Sequence, residues 1–384
     1  MSDRVGWLGS PKAKACPRVR KKDNMLIGID ASKVVKPFKT GTETYTVELL
    51  KALSQIDRKN DYLLYTPKPF GDKLPPLGKN FKERVIPFGR FWSQIRLSGE
   101  MITKKPDVLF VPAHTTPMVH PKKTVVTLHD LGFKHFPHLY SPSEILYHNW
   151  AMDRAIKGSS HIIAISEFTK KDLLENFTLD PKKITVVYEG YDTELFRPAK
   201  TQNAAKPYIL FVGRLEEKKN IVKMIEGYAL LRREPGIKHQ FVLAGQPGFG
   251  YEKITTEIAK LPKNIQNDII LPGYLSQEKY VELLKNADAM FFCTLYEGFG
   301  LPPLEAMATS IPVVASNRTS VPEIVGKAGL LVNPDKPYDM AVALSKLLNS
   351  KPLQKALISK GLVRASMFSW KKCAEQTLEV LTSA

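Results

Sequence analysis

Tyr296-Glu297-Gly298-Phe299-Gly300-Leu301-Pro302-Pro303-Leu304-Glu305-Ala306-Met307-Ala308 sets two carboxylates, two glycines and a helix start within thirteen residues. The run before it, Ala289-Met290-Phe291-Phe292-Cys293-Thr294, is apolar and bounded by polar residues, which predicts a strand buried in a parallel sheet. Gly298 and Gly300 break the strand, and Pro302 and Pro303 suit the first turn of a helix. Free N–H groups at that helix start, with the positive end of its dipole, favour a phosphate or diphosphate beside Phe299, Gly300 and Leu301. Glu305 is expected in the first turn, where a carboxylate accepts hydrogen bonds from ribose hydroxyls. Glu297 precedes the loop, on the other side of the phosphate position. Glycine turns between strand and helix are common in α/β proteins, and the dipole alone favours Glu in a first turn, so the segment needs corroboration.

The chain has 384 residues, enough for two domains that each bury a core. At 43% hydrophobic and 24% charged it has the composition of a globular protein, and no run reaches the roughly 18 apolar residues of a membrane span. Residues 1–24 are basic without an apolar core, which reads as a disordered tail rather than a secretory signal, so a cytoplasmic location is expected. Met25 is either a start or the end of an added leader. Cys16, Cys293 and Cys373 are too far apart for a zinc pattern or a disulfide framework. The net charge is +18, of which the tail supplies five. An anionic partner follows: a phosphorylated substrate, an anionic membrane surface or a nucleic acid. No zinc-finger spacing, RNA-binding aromatic signature or helix-turn-helix pattern supports the last.

Strands are predicted near 25–30, 62–65, 108–111, 124–128, 162–165 and 184–188, with helices such as Tyr45 to Gln55 between them. Strands alternating with helices imply a parallel sheet covered on both faces. Around Phe196 to Pro207 periodicity fails and Pro, Ala, Gln and Asn cluster, as in a linker. The alternation restarts with strands near 208–212, 240–243, 269–271, 289–293, 313–315 and 330–332. Two tandem Rossmann-like, doubly wound α/β domains are therefore expected, over residues 25–200 and 205–367, with a last helix within about 368–384 returning to the first domain.

Phe211-Val212-Gly213-Arg214-Leu215-Glu216-Glu217-Lys218-Lys219-Asn220 opens the second domain as strand, glycine, then basic residues, placing Arg214 and Lys219 at the carboxyl end of the sheet, where ligands bind in such folds. An Arg fork and a Lys point charge can neutralise a diphosphate leaving group without a metal. Lys218, Glu216 and Glu217 read as a solvated loop.

With these residues in place, the chain resembles the retaining glycosyltransferases of family 4, which have the GT-B fold and a Glu, seven residues, Glu hallmark matched by Glu297 and Glu305. Gly28-Ile29-Asp30-Ala31, Thr127-Leu128-His129-Asp130-Leu131, Ile165-Ser166-Glu167-Phe168-Thr169, Leu243-Ala244-Gly245, Pro272-Gly273-Tyr274 and Phe368-Ser369-Trp370 also resemble family signatures in the family's order. The resemblance implies a donor cleft between two domains. Arg214 and Lys219 would take the donor diphosphate, Glu305 the ribose, and Glu297 the transferred sugar. Phe299 to Leu301 would offer N–H groups, with Gly213, Gly298 and Gly41 as loop glycines beside the donor. His129 would face the donor sugar across the cleft. On the acceptor side lie His114, the best candidate of a group with His120, His135 and His138, and Asp130, expected to orient its loop.

No Asp-x-Asp motif stands near a strand end, so neither an essential metal nor another cofactor is expected. The implied reaction moves a hexosyl group, mannosyl or glucosyl, from a GDP- or UDP-sugar to a saccharide or lipid-linked saccharide with retention of configuration, at the inner face of the membrane where the acceptor is lipid-linked. A nucleotide-sugar 2-epimerase of the same architecture, and a basic nucleic-acid-binding protein, are the competing readings.

Overall fold

The computed structural model describes residues 24–36, 41–89, 91–198 and 206–384. The basic tail with Cys16, Thr40 and the middle of the expected linker lie outside the described residues. In the first lobe, β1 (Leu26–Asp30), β2 (Asp61–Thr66), β3 (Phe81–Val85), β4 (Val108–Val111), β5 (Thr124–Leu128), β6 (His161–Ala164) and β7 (Ile184–Val186) form one parallel sheet in the order β3-β2-β1-β4-β5-β6-β7. In the second, β8 (Tyr208–Val212), β9 (Gln240–Ala244), β10 (Ile269–Gly273), β11 (Ala289–Phe292), β12 (Val313–Ser316) and β13 (Gly329–Val332) run parallel in the order β10-β9-β8-β11-β12-β13. This is the expected pair of doubly wound sheets.

The central strands are apolar throughout because both faces are covered. Side chains of β4 alternate between two cores, Val108 and Phe110 packing on one face and Leu109 and Val111 on the other. The sequence reading missed β3, Phe81-Lys82-Glu83-Arg84-Val85, because an edge strand carrying three charges has no apolar run to detect.

Each sheet reverses its strand order between two central strands, β1 and β4 in the first and β8 and β11 in the second. Loops leaving the carboxyl ends there splay apart and open a crevice. In the second lobe those loops are 213–219 and 293–300, which carry Lys219 and Glu297. The C-terminal helix Trp370–Ser383 packs on the helix Gly41–Ile56 of the first lobe, with Trp370 edge-on to Tyr45 at 5.9 Å. Among the described residues, no helix is long and apolar enough to cross a membrane.

Candidate active site

The loop after β8 is shaped by glycine. Gly213 and Gly245 both have φ of +153°, and a Cβ on Gly245 would stand 1.8 Å from the Gly213 carbonyl oxygen, so the two backbones touch. At the far end of this loop Asn220 adopts φ +62° and donates through Nδ2 to the carbonyls of Cys293 (3.0 Å) and Pro334 (2.6 Å). That tie draws the loop onto the end of β11 and delivers Lys219 to Glu297. Lys219 Nζ donates to both carboxylate oxygens, at 2.7 and 2.8 Å. Arg214 stays outside this pair, mostly exposed, with Nε 3.6 Å from Glu216.

Glu297 is anchored through its backbone as well: its N–H donates to Thr319 Oγ1 (3.2 Å), and Ser320 Oγ donates to its carbonyl (2.9 Å). Gly300 takes φ +112° to start the helix Leu301–Ala308. Among the described residues the N–H groups of Phe299, Gly300 and Leu301 have no hydrogen-bond acceptor, while the Phe299 ring is buried beside Tyr188 and Phe368. Because the helix begins at Leu301, ahead of the prolines, Glu305 is its fifth residue and not a first-turn residue. The dipole therefore does little for it. Burial pushes the Glu305 carboxyl up to about 7, the Tyr280 hydroxyl that donates to it pulls the other way, and Asp192 and Glu189 push it further up. Glu305 and Leu301 share a narrow recess with Thr44, Glu48, Gly190 and Asp192 of the first lobe. A larger open hollow of about 420 Å³ lies behind the Lys219 loop and touches neither Glu297 nor Glu305.

From the first lobe, the backbone after β5 meets the Glu297 loop directly. A Cβ on Gly298 would stand 2.0 Å from the His129 carbonyl oxygen. The His129 ring turns both nitrogens to its own lobe: Nε2 lies 3.0 Å from the Pro112 carbonyl, Nδ1 lies 3.5 Å from Glu189, and Tyr45 packs edge-on. Asp130 accepts from the Gly132 N–H at 2.8 Å; burial pushes its carboxyl up, but Lys218, that N–H and Lys219 together hold it below the usual value. His114 is pushed down to about 4, by burial first and then by neighbouring His148, 5.5 Å away ring to ring. At neutral pH it is an uncharged donor and acceptor. Gly41 opens the helix Gly41–Ile56, and among the described residues no atom stands within 4 Å of its Cβ position, so none of them demands glycine there.

The solvated-loop reading of Lys218, Glu216 and Glu217 needs correction. Lys218 is not solvated: its ammonium lies 3.5 Å from Glu216 with its side chain 18% exposed, and Asp130, then Glu216, raise its pKa against the pull of burial. Glu217 is bound by Lys253 (2.6 Å) and by His138 (2.9 Å), which reaches it from the other lobe. His135 is exposed but donates across to Asp172 at 2.8 Å. The sequence reading also passed over Glu189, Tyr280, Tyr296 and Asp172, which hold the named residues in place. Only Tyr296 carried a signal, by adjoining Glu297.

Residues 39–195 match the family described as Glycosyltransferase Family 4, and residues 192–363 match Glycosyl transferases group 1. The chain is 25% identical over 375 residues to O-antigen chain mannosyltransferase B of Escherichia coli, covering 91% of this chain and 98% of that protein. Its fold is similar to that of sucrose-phosphate synthase from Thermosynechococcus elongatus (TM-score 0.75, 17% identity, 94% of this chain and 99% of that one). It is also similar to Anabaena HepE, solved with UDP and glucose (TM-score 0.72, 18% identity, 94% and 100%). At such identities the structural likeness speaks to the fold.

Proposed function

This chain belongs to glycosyltransferase family 4, and from that premise we propose that it moves a mannosyl or glucosyl group from a GDP- or UDP-sugar to a saccharide or lipid-linked saccharide, with retention, in assembly of a cell-surface polysaccharide. The observation that carries this reading is the Lys219–Glu297 pair at the crevice of the second sheet, pressed through Gly298 against the first lobe at His129. The mannosyl choice is supported by the O-antigen mannosyltransferase relative.

In this reading the donor diphosphate lies against Arg214, Lys219 and the free N–H groups of Phe299, Gly300 and Leu301, and Glu305 holds the ribose. As the anomeric carbon–oxygen bond breaks, the electron pair leaves with the phosphate, where those groups stabilise the growing charge. The acceptor hydroxyl attacks from the same face, and its proton passes to the departing phosphate oxygen. Glu297 positions the sugar and offsets its oxocarbenium character. His129 presents its backbone to the loop, and its ring, held by Pro112 and Glu189, is a sugar-side wall. His114 and Asp130 face the acceptor, and closure of the lobes excludes water.

A lipid-linked acceptor and peripheral contact with an anionic membrane are supported by one face of the first lobe. Ile95, Ile102, Met118, Val119, Leu146 and Trp150 are exposed there. Gln94 donates to Tyr147, Arg154 donates to the Met118 carbonyl, and Arg154 stacks over Trp150, so these segments form one surface. Lys104, Lys105, Lys122 and Lys123 are exposed in the same segments.

The test is a melting-temperature panel of UDP-, GDP- and ADP-sugars, followed by turnover of the stabilising donor. A transferase releases nucleoside diphosphate in proportion to acceptor glycosylated. Conversion of the nucleotide sugar alone to its isomer indicates the 2-epimerase, and salt-dependent oligonucleotide binding indifferent to nucleotide sugars indicates the nucleic-acid reading. Wild-type turnover in Glu297→Gln at saturating donor overturns the assignment.

A further inference from the structure

The residue before Glu297 belongs, by its contacts, to the opposite lobe. Tyr296 is 4% exposed, and its hydroxyl donates to Asp172 Oδ2 (2.7 Å) and accepts from the Leu131 N–H (2.9 Å), both in the first lobe. Asp172 is itself buried, and its other oxygen is held by His135 Nε2 (2.8 Å) and Asn176 Nδ2 (2.9 Å). The Tyr296 ring is surrounded by first-lobe rings of His135, Phe136 and Phe168 at 4.9–6.0 Å. On the other side of Glu297, the Gly298 carbonyl accepts from Ser166 Oγ (2.7 Å) and Thr169 Oγ1 (3.2 Å), again from the first lobe. Glu297 itself is held from the second lobe, its side chain by Lys219 and its backbone by Thr319 and Ser320.

We propose that Tyr296 is a positioning residue whose hydroxyl, seated on Asp172, sets where the Glu297 carboxylate stands relative to the first lobe. The proposal rests on the reading of Glu297 as the contact to the transferred sugar. A phenylalanine would fill the same ring pocket; only the hydroxyl needs a buried carboxylate and a backbone N–H across the interface. Without it the first lobe's hydrogen bonds to this segment run through Gly298 alone, and Glu297, carried by the second lobe through Thr319, Ser320 and Lys219, can shift relative to the first. Misplacement of a reacting-centre contact by about 1 Å costs up to roughly a hundredfold in rate. Donor affinity, set by Lys219, Arg214 and Glu305 within the second lobe, should hardly change.

The test compares Tyr296→Phe, Asp172→Ala, Asp172→Asn and the Phe/Ala double variant, with GDP-mannose or UDP-glucose as donor, whichever raises the melting temperature. The expected result is kcat down about 10- to 100-fold in Tyr296→Phe with donor dissociation constant within about threefold. Asp172→Ala should match it, the double variant should be no worse than either single one, and Asp172→Asn, whose carbonyl still accepts from the tyrosine, should recover most of the rate. Wild-type kcat in Tyr296→Phe overturns the proposal, as do losses that multiply in the double variant or a kcat in Asp172→Asn as low as in Asp172→Ala. Full activity in Glu297→Gln instead removes the premise, so the two failures are separable.

Discussion

Lys219 Nζ and the Glu297 carboxylate hold one another at 2.7 and 2.8 Å, so the cation proposed for the donor diphosphate and the carboxylate proposed for the donor sugar form one ion pair. Their side chains are 15% and 13% exposed, a setting in which removing one partner leaves the other charge poorly solvated. On the proposed reading, the donor diphosphate competes with Glu297 for Lys219.

Lys219→Ala should lower kcat/KM about a thousandfold, and Glu297→Gln by about a hundredfold or more, mainly in kcat. Because the two charges act as a unit, the double variant should fall well short of the product of the single losses. A cycle on kcat/KM, measured with the stabilising donor, decides this; strictly multiplicative losses would show that the pair has no joint role.

If Glu305 holds the donor ribose as proposed, donor binding acquires a pH dependence whose sign follows from its raised pKa. With its pKa near 7, the free protein holds this carboxyl partly protonated at neutral pH, whereas two ribose hydroxyls are best met by the ionised form. Affinity for a nucleotide sugar should weaken as pH falls from 8 to 6, approaching tenfold per unit at the acid end. Tyr280 donates to Glu305 and lowers its pKa, so Tyr280→Phe should move the midpoint upward, and Glu305→Gln should flatten the curve. The same shift acts on stability in the opposite sense: with the folded pKa raised from 4.5, this group's contribution is lost as pH climbs from about 4.5 to about 7. Calorimetric titrations at several pH values, with wild type against Glu305→Gln, separate the two effects.

Gly298→Ala tests the contact between the lobes. The added carbon would lie 2.0 Å from the His129 carbonyl oxygen and 3.1 Å from Asp130 Cβ, and backbone at that distance cannot rotate away. The lobes must separate locally or the Glu297 loop must shift. Turnover should drop at least tenfold while each lobe stays folded and donor binding stays within a few-fold, since the diphosphate and ribose contacts proposed above belong to the second lobe. Retained turnover would show that this close approach is not needed for the reaction.

What was legible in the chain follows from where the signals are local. Apolar β4, β5 and β11, the glycine loops and the Glu297–Glu305 spacing are properties of short segments; they sufficed for two parallel sheets and for naming a candidate site in the second lobe. The interlobe partners are not local. Asp172 sits mid-helix in Glu167–Asn176 with the look of a surface carboxylate, and Lys218 reads as solvated until Asp130 from another domain closes over it. Glu305 falls one residue beyond the expected first turn because Gly300, with its positive φ, sets the helix start at Leu301 and not at Pro302.

The exposed apolar face of the first lobe yields a membrane prediction. Ile102 and Leu146 are 68% and 73% exposed, and Trp150, with Arg154 over its ring, is the kind of amphipathic pair that sits at a headgroup boundary. Apolar insertion and attraction of lysines to anionic lipid should act together, so binding to vesicles containing about a third anionic lipid should exceed binding to neutral vesicles and weaken with salt over the Debye range. Replacing Ile102, Leu146 and Trp150 together by serine should lower vesicle affinity at least tenfold, since each buried side chain contributes about 1 kcal/mol or more, while melting temperature and donor affinity hold. Lys104 and Lys105 replaced by glutamate should remove the preference for anionic lipid and leave the apolar component. Sedimentation with vesicles, read beside donor titration on the same samples, distinguishes these outcomes. Wild-type protein that stays in the supernatant with anionic vesicles at low salt would assign the patch another role and leave a water-soluble saccharide as the acceptor.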